Sequence, residues 1–123
     1  MITGTDVRKV ATFLSRFSGE ASTRAQIGRL YYAAFIDARH MCQYQFEFTP
    51  TGGGEDHDLV RRCLRDQARD PVLSENLLKL RIMRNKADYR ESLPHERQLL
   101  KESMALATKI SEGISGHGGR SFM

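Results

Sequence analysis

No apolar run in the chain approaches the roughly 20 residues needed to cross a bilayer, so no membrane partner is expected. The opening stretch, Met1 to Asp6, lacks the basic region and apolar segment of a signal peptide, and the expected location is cytoplasmic. Cysteine is scarce. Cys42 and Cys63 are the only two, and each falls on the apolar side of its helical segment, so both read as reduced core residues rather than a disulfide. His40, His57, His95 and His117 show no ligand spacing with the cysteines or with one another, and neither a metal nor a cofactor is expected. The run Gly52-Gly53-Gly54 is not followed by Gly-Lys-Ser/Thr, which excludes a P-loop and leaves a mobile connector as the reading. No segment alternates with period two over a useful length, so a sheet is not expected, and no internal repeat is visible.

What remains is an ordinary globular composition, with 40% hydrophobic and 28% charged residues in 123, enough for one core. The formal net charge is +4. It is uneven: residues 61–90 hold nine basic side chains (Arg61, Arg62, Arg65, Arg69, Lys79, Arg81, Arg84, Lys86, Arg90) against four acids (Asp66, Asp70, Glu75, Asp88). Such an excess attracts polyanions. It equally suits a solvated helix face or an acidic protein partner.

Periodicity predicts five helices. The first spans about Asp6 to Phe17, capped by Thr5, with Val7, Val10, Phe13, Leu14 and Phe17 on one face and Ser18-Gly19 ending it. The second spans about Thr23 to Tyr44. Thr23 with Gln26 fits a capping box, and Ile27, Leu30, Tyr31, Ala34, Ala38, Met41 and Cys42 form a stripe with small residues that allow close helix approach. This is the expected central helix. A loop from Phe46 to Glu55 precedes a third helix, Asp56 to Arg69. Asp70-Pro71 signals a restart, and the fourth helix runs to about Tyr89 or Arg90, with Leu73, Leu77, Leu80, Arg84 and Ala87 sharing a face. Ser92-Leu93-Pro94 breaks the chain before a fifth helix that uses Leu99, Leu100, Leu106, Ala107, Ile110 and Ile114. The fold class expected is all-α, an antiparallel four- to five-helix up-and-down bundle over residues 1–112, followed by a flexible Gly- and Ser-rich tail, 113–123.

The densest constellation is Arg84-Asn85-Lys86-Ala87-Asp88-Tyr89. Arg84 lies on the apolar stripe, where an arginine is costly unless it is paired or binds an anion. Asp88 lies one turn on and can pair with it. Asn85 and Tyr89 form a second one-turn pair about 100° round the helix. The cluster can hold a phosphodiester, through the planar five-donor fork of arginine. It can also lock two helices or two subunits in register. Tyr31, Tyr32 and Phe35 suit stacking on RNA bases or packing in a core or dimer contact.

Arg84-Asn85-Lys86-Ala87-Asp88-Tyr89 resembles the signature near the end of the last long helix of HEPN-domain proteins, many of which read Arg-x-x-Ala-Asp-Tyr. Arg29-Leu30-Tyr31-Tyr32-Ala33-Ala34-Phe35 resembles that family's second-helix run, and His57 opens the helix between the two motifs. The resemblance covers roughly residues 5–112. It implies a bundle that forms a homodimer around a cleft lined by the signature helices. It also implies a metal-independent ribonuclease in which arginine steadies charge on phosphorus and a histidine four to six residues later moves the proton. Here Tyr89 stands at the histidine's place.

Three readings follow. One is an RNA-binding protein or ribonuclease of a prokaryotic toxin–antitoxin or phage-defence system. Its catalytic candidates are Arg84, Asn85, Asp88 and Tyr89, with His95 or His57 as the proton-transfer group, and Arg61, Arg62, Arg65 and Lys86 would bind RNA. The second is a non-catalytic module that dimerises and binds a nucleotidyltransferase-type antitoxin, with Tyr89 as an acceptor for adenylylation. The third is a plain dimeric scaffold.

Overall fold

The computed structural model describes residues 2–17, 19–93 and 95–118, and among them there are five helices and no strand. They are α1 (Gly4–Leu14), α2 (Glu20–Phe46), α3 (Asp56–Asp66), α4 (Pro71–Tyr89) and α5 (Glu96–Gly116). None is long and apolar enough to cross a membrane. Helix α2 touches all four others, which makes it the central helix of a bundle.

The first helix starts earlier than its pattern indicated. Thr3, not Thr5, is the N-cap: the Asp6 amide donates to Thr3 Oγ1 at 3.2 Å, and the Thr3 amide donates to Asp6 Oδ2 at 3.0 Å. That capping box needs an acceptor three residues on, and Thr5 has Arg8 there, which only donates. The buried face also differs. Gly4, Val7 and Ala11 pack inward with Ala33 and Ile36 of α2, while Val10, Phe13 and Phe17 are 46%, 53% and 55% exposed. The small side of α1 faces α2 because it lets the two backbones approach closely.

That approach is tightest at Gly4, whose amide donates to Asp37 Oδ1 at 3.1 Å, while Arg8 Nη1 lies 2.8 Å from Asp37 Oδ2. A Cβ at position 4 would sit 2.3 Å from both carboxylate oxygens. Gly4→Ala is therefore expected to lower stability by about 1–3 kcal/mol, as overpacked contacts do. Thermal melting would read it, and an unchanged melting temperature would contradict this packing.

Helix α2 begins at Glu20, after Gly19 at φ 104, so Thr23 lies inside the helix and the Thr23–Gln26 capping box does not form. Gln26 donates instead to Ser22 Oγ at 3.2 Å. The expected stripe is otherwise the core: Ile27, Tyr31, Ala34, Ala38, Met41 and Cys42 are all buried, and Leu30 is half-buried. Both cysteines are buried and free, and burial pushes the Cys42 thiol well above its ordinary pKa, as an inert core thiol requires.

The glycine-rich connector is anchored rather than loose. The buried Asp56 carboxylate accepts the Thr51 amide at 2.9 Å, the Thr51 hydroxyl at 2.7 Å and the Gly52 amide at 3.1 Å. Three donors to one carboxylate hold its pKa below the ordinary range. Helix α3 stops at Asp66, three residues short of the expected end, because Arg69 turns left-handed (φ 55) and the Asp70 amide closes back on the Leu64 carbonyl at 2.9 Å.

The restart at Asp70-Pro71 forms as expected, with the Leu73 amide donating to Asp70 Oδ1 at 3.0 Å. Helix α4 then buries Leu73, Leu77, Leu80 and Ala87 against α2 and α5. Pairs such as Ser103 with Met83 and Gly113 with Leu73 run α4 and α5 antiparallel. Helix α5 continues to Gly116, past the tail boundary expected at 112, and His117 Nε2 reaches Asp70 Oδ2 at 2.8 Å. The rest of the expected tail, 119–123, and Pro94 lie outside the described residues.

Candidate functional site

A cavity of about 510 Å³ lies between the N-terminal half of α2 and the C-terminal half of α4. Arg24, Arg29, Tyr31 and Tyr32 enter from α2, Arg84, Ala87 and Asp88 from α4, and His57 from the start of α3. The sequence motifs thus meet in space, though not in the combination that their spacing suggested.

Arg84 is held by two partners. Its Nε lies 2.8 Å from Asp88 Oδ2, and its guanidinium carbon stands 5.9 Å from the centre of the Tyr31 ring. Arg84 and Asp88 side chains are each 33% exposed. A one-turn ion pair this open stabilises a helix by only about 0.3–0.5 kcal/mol. Its consequence is orientation: Asp88 holds the guanidinium at the wall of the cavity that both residues line. Arg24 closes the end of the cleft, donating to the Ala87 carbonyl at 2.6 Å and pairing with Glu20 at 2.6 Å. The Ala87 carbonyl is one of those left without an intrahelical partner at the end of α4.

His57 reaches the cavity because Asp56 pins the preceding loop and fixes where α3 starts. Its ring stacks on Phe35, with centroids 4.3 Å apart, and its Nδ1 is 2.5 Å from the Tyr31 hydroxyl. Burial, then Arg81 and Arg84, hold its pKa below the ordinary value, so the imidazole is neutral at pH 7. Burial also pushes Tyr31 up to about 12, against the opposing pull of the same arginines, and keeps the phenol protonated.

The other sequence candidates separate. Asn85 and Tyr89 are exposed, Tyr89 by 77%, and neither lines the cavity, because they lie about 100° round α4 from the stripe that faces α2. His95 and Lys86 line a different hollow of about 280 Å³, together with Arg90, Gln98 and Glu102. His95 adopts φ 56 at the N-cap of α5, beyond the end of α4. Arg62 and Arg65 are exposed, and Arg65 is paired with its neighbour Asp66 at 2.8 Å. Arg61 is partly buried and turns toward Asp58, which Arg81 also contacts. Tyr31 and Phe35 are 2% and 4% exposed, which removes them as stacking platforms and leaves Tyr32, at 38%.

Sequence reasoning missed Arg24, Arg29 and Arg81 as companions of Arg84, and Tyr31 as the partner of His57. Arg24 and Tyr31 are seven residues apart, two turns along one face of α2, and that spacing was a usable signal. The meeting of Tyr31 with His57 depends on loop geometry and had none. Among the described residues, no three His, Cys, Asp or Glu side chains are grouped to hold a metal ion.

The class of protein that these features define is an all-helical bundle with an arginine-lined, histidine-bearing cleft. No family model, curated protein or solved structure matches the chain.

Proposed function

We propose that this chain is a HEPN-like RNA-binding protein with a metal-independent ribonuclease-type site, a component of a prokaryotic toxin–antitoxin or phage-defence system. One observation carries the reading: Arg84 and a neutral histidine, His57, line the same open cavity. The arginine fork binds the phosphodiester and steadies the negative charge that develops on its oxygens. With Nδ1–H donating to the Tyr31 oxygen, His57 Nε2 carries the lone pair that a base needs. His57 then takes the proton of the ribose 2′-hydroxyl. The 2′-oxygen bonds to phosphorus, the phosphorus–5′-oxygen bond breaks, and the leaving oxygen takes a proton from solvent or from the imidazolium. The products are a 2′,3′-cyclic phosphate and a 5′-hydroxyl. In this assignment His57 takes the role that the motif spacing would give to Tyr89 or His95, and Asp88 orients Arg84.

The test is cleavage of labelled single-stranded RNA in EDTA by the purified protein and by Arg84→Ala. The variant is expected to lose about 10²–10³-fold in rate, the usual cost of removing one oxyanion donor. Absence of cleavage together with absence of salt-sensitive RNA binding in the parent protein would overturn the reading.

A second reading has its own observation. Tyr89 stands 77% exposed at the end of α4, open to a modifying enzyme. In that reading the chain is a non-catalytic homodimeric module and Tyr89 accepts an adenylyl group from a nucleotidyltransferase partner. Co-expression with such a partner, followed by peptide mass spectrometry, would find the adduct on Tyr89 and lose it in Tyr89→Phe.

A further inference from the structure

Beside the Arg84 cavity lies a pair of arginines with too few partners. Arg61 of α3 and Arg81 of α4 converge on one atom, Asp58 Oδ1, at 3.6 and 3.4 Å, both long for charge-assisted contacts. Their side chains are only 23% and 28% exposed, and the Nε of each is buried without a hydrogen-bond partner among the described residues. Two cations therefore share one carboxylate, itself 58% exposed, and two buried N–H donors have no acceptor. One carboxylate offers about four acceptor sites against the five N–H donors of each fork, so the pair keeps donor capacity for a further anion. An ion pair serving stability would use Asp58 at closer range and satisfy both forks.

The position of the pair matters. Arg81 precedes Arg84 by three residues, so the two sit one turn apart on neighbouring parts of the α4 surface. Arg61 is fixed against α4 through its own carbonyl, which accepts the Ser74 hydroxyl at 2.9 Å. Asp58, on which both arginines converge, directly follows His57, which lines the Arg84 cavity.

We infer that Arg61 and Arg81 form a second phosphate subsite, one helical turn along α4 from Arg84, so that the ligand of the cleft is a polynucleotide strand presenting successive phosphates rather than a mononucleotide or a free anion. The inference rests on the RNA reading above and narrows it. One phosphate sits on the Arg84 fork beside His57, and the next is held by the guanidinium groups of Arg61 and Arg81. Asp58, exposed and bound at long range, gives up its share of both forks to the incoming phosphate.

The probe is a short oligodeoxythymidylate, which lacks the 2′-hydroxyl and cannot be cleaved by the proposed route. Its affinity is measured against salt for the parent protein, Arg81→Gln, Arg61→Gln and Arg84→Ala, with melting curves to confirm folding. Loss of one phosphate contact should lower the log–log salt slope by about 0.7 for a single strand, so Arg81→Gln and Arg84→Ala should each do so. Inorganic phosphate added to the unaltered protein should also shift the Nε–H resonances of Arg61 and Arg81, a readout that needs no variant. If Arg84→Ala lowers the slope while Arg81→Gln and Arg61→Gln do not, and the two resonances stay still, the site holds one phosphate and the inference falls while the RNA reading stands. If the parent protein does not bind the oligonucleotide at all, the RNA reading falls with it.

Discussion

Replacing His57 by glutamine is expected to lower Arg84-dependent RNA cleavage by about 10²–10⁴-fold, the usual contribution of a placed proton-transfer group. The substitution keeps a polar side chain at the start of α3 but removes the titrating ring. Its pH dependence makes the test specific. The folded-state pKa of His57 is depressed, so the neutral base form is already dominant at pH 7. The rate should be flat near neutrality and fall as pH drops through the lowered pKa, below the ordinary histidine value of about 6.5. In His57→Gln that acid limb should vanish. Linkage gives a second readout with a fixed sign. Between the folded value and the unfolded value near 6.5 the unfolded chain binds more protons, so stability rises with pH across that window and levels off above it. The buried His40, whose pKa is also lowered by burial first, adds a slope of the same sign, so the histidine-dependent part is the difference between parent and variant. A variant that cleaves at the parent rate with the same acid limb would assign the proton transfer elsewhere.

Leu77→Ala should cost about 2–5 kcal/mol, the range for deleting a fully buried leucine side chain and leaving a cavity. Leu77 is 0% exposed and belongs to the main core with Met41, Leu64, Leu80 and Ile110. Against the 5–15 kcal/mol typical of a whole domain, this is enough to bring a marginal protein near unfolding at growth temperature. Leu77→Met, which conserves volume, should cost less than about 1.5 kcal/mol. Denaturant midpoints for the pair would show it. If both variants unfolded at the parent midpoint, Leu77 would not be a core residue.

The two halves of α4 explain how much could be read from sequence. From Asp70 to Leu80 the local rules agree: an aspartate cap, a proline at the first position and leucines every three or four residues give one answer. Cap identity failed at α1, where Thr3 and not Thr5 has an acidic acceptor three residues on, and at α2, which begins after Gly19 and so takes Thr23 inside the helix. The inward face of α1 failed because periodicity ranks bulk, whereas the contact with α2 selects the small residues Gly4 and Ala11. At the site, Arg84 and Asp88 were legible because one helix carries both. His57 with Tyr31, and Arg61 with Arg81, were not, since each pair joins different helices through a loop or turn whose course is set by Asp56 or by Arg69.

The Asp56 anchor has a consequence for protein engineering. Between Thr51 and Asp56 the chain length is set by three hydrogen bonds to one carboxylate, so adding or deleting a glycine there would displace His57 from the cleft even with every helix intact.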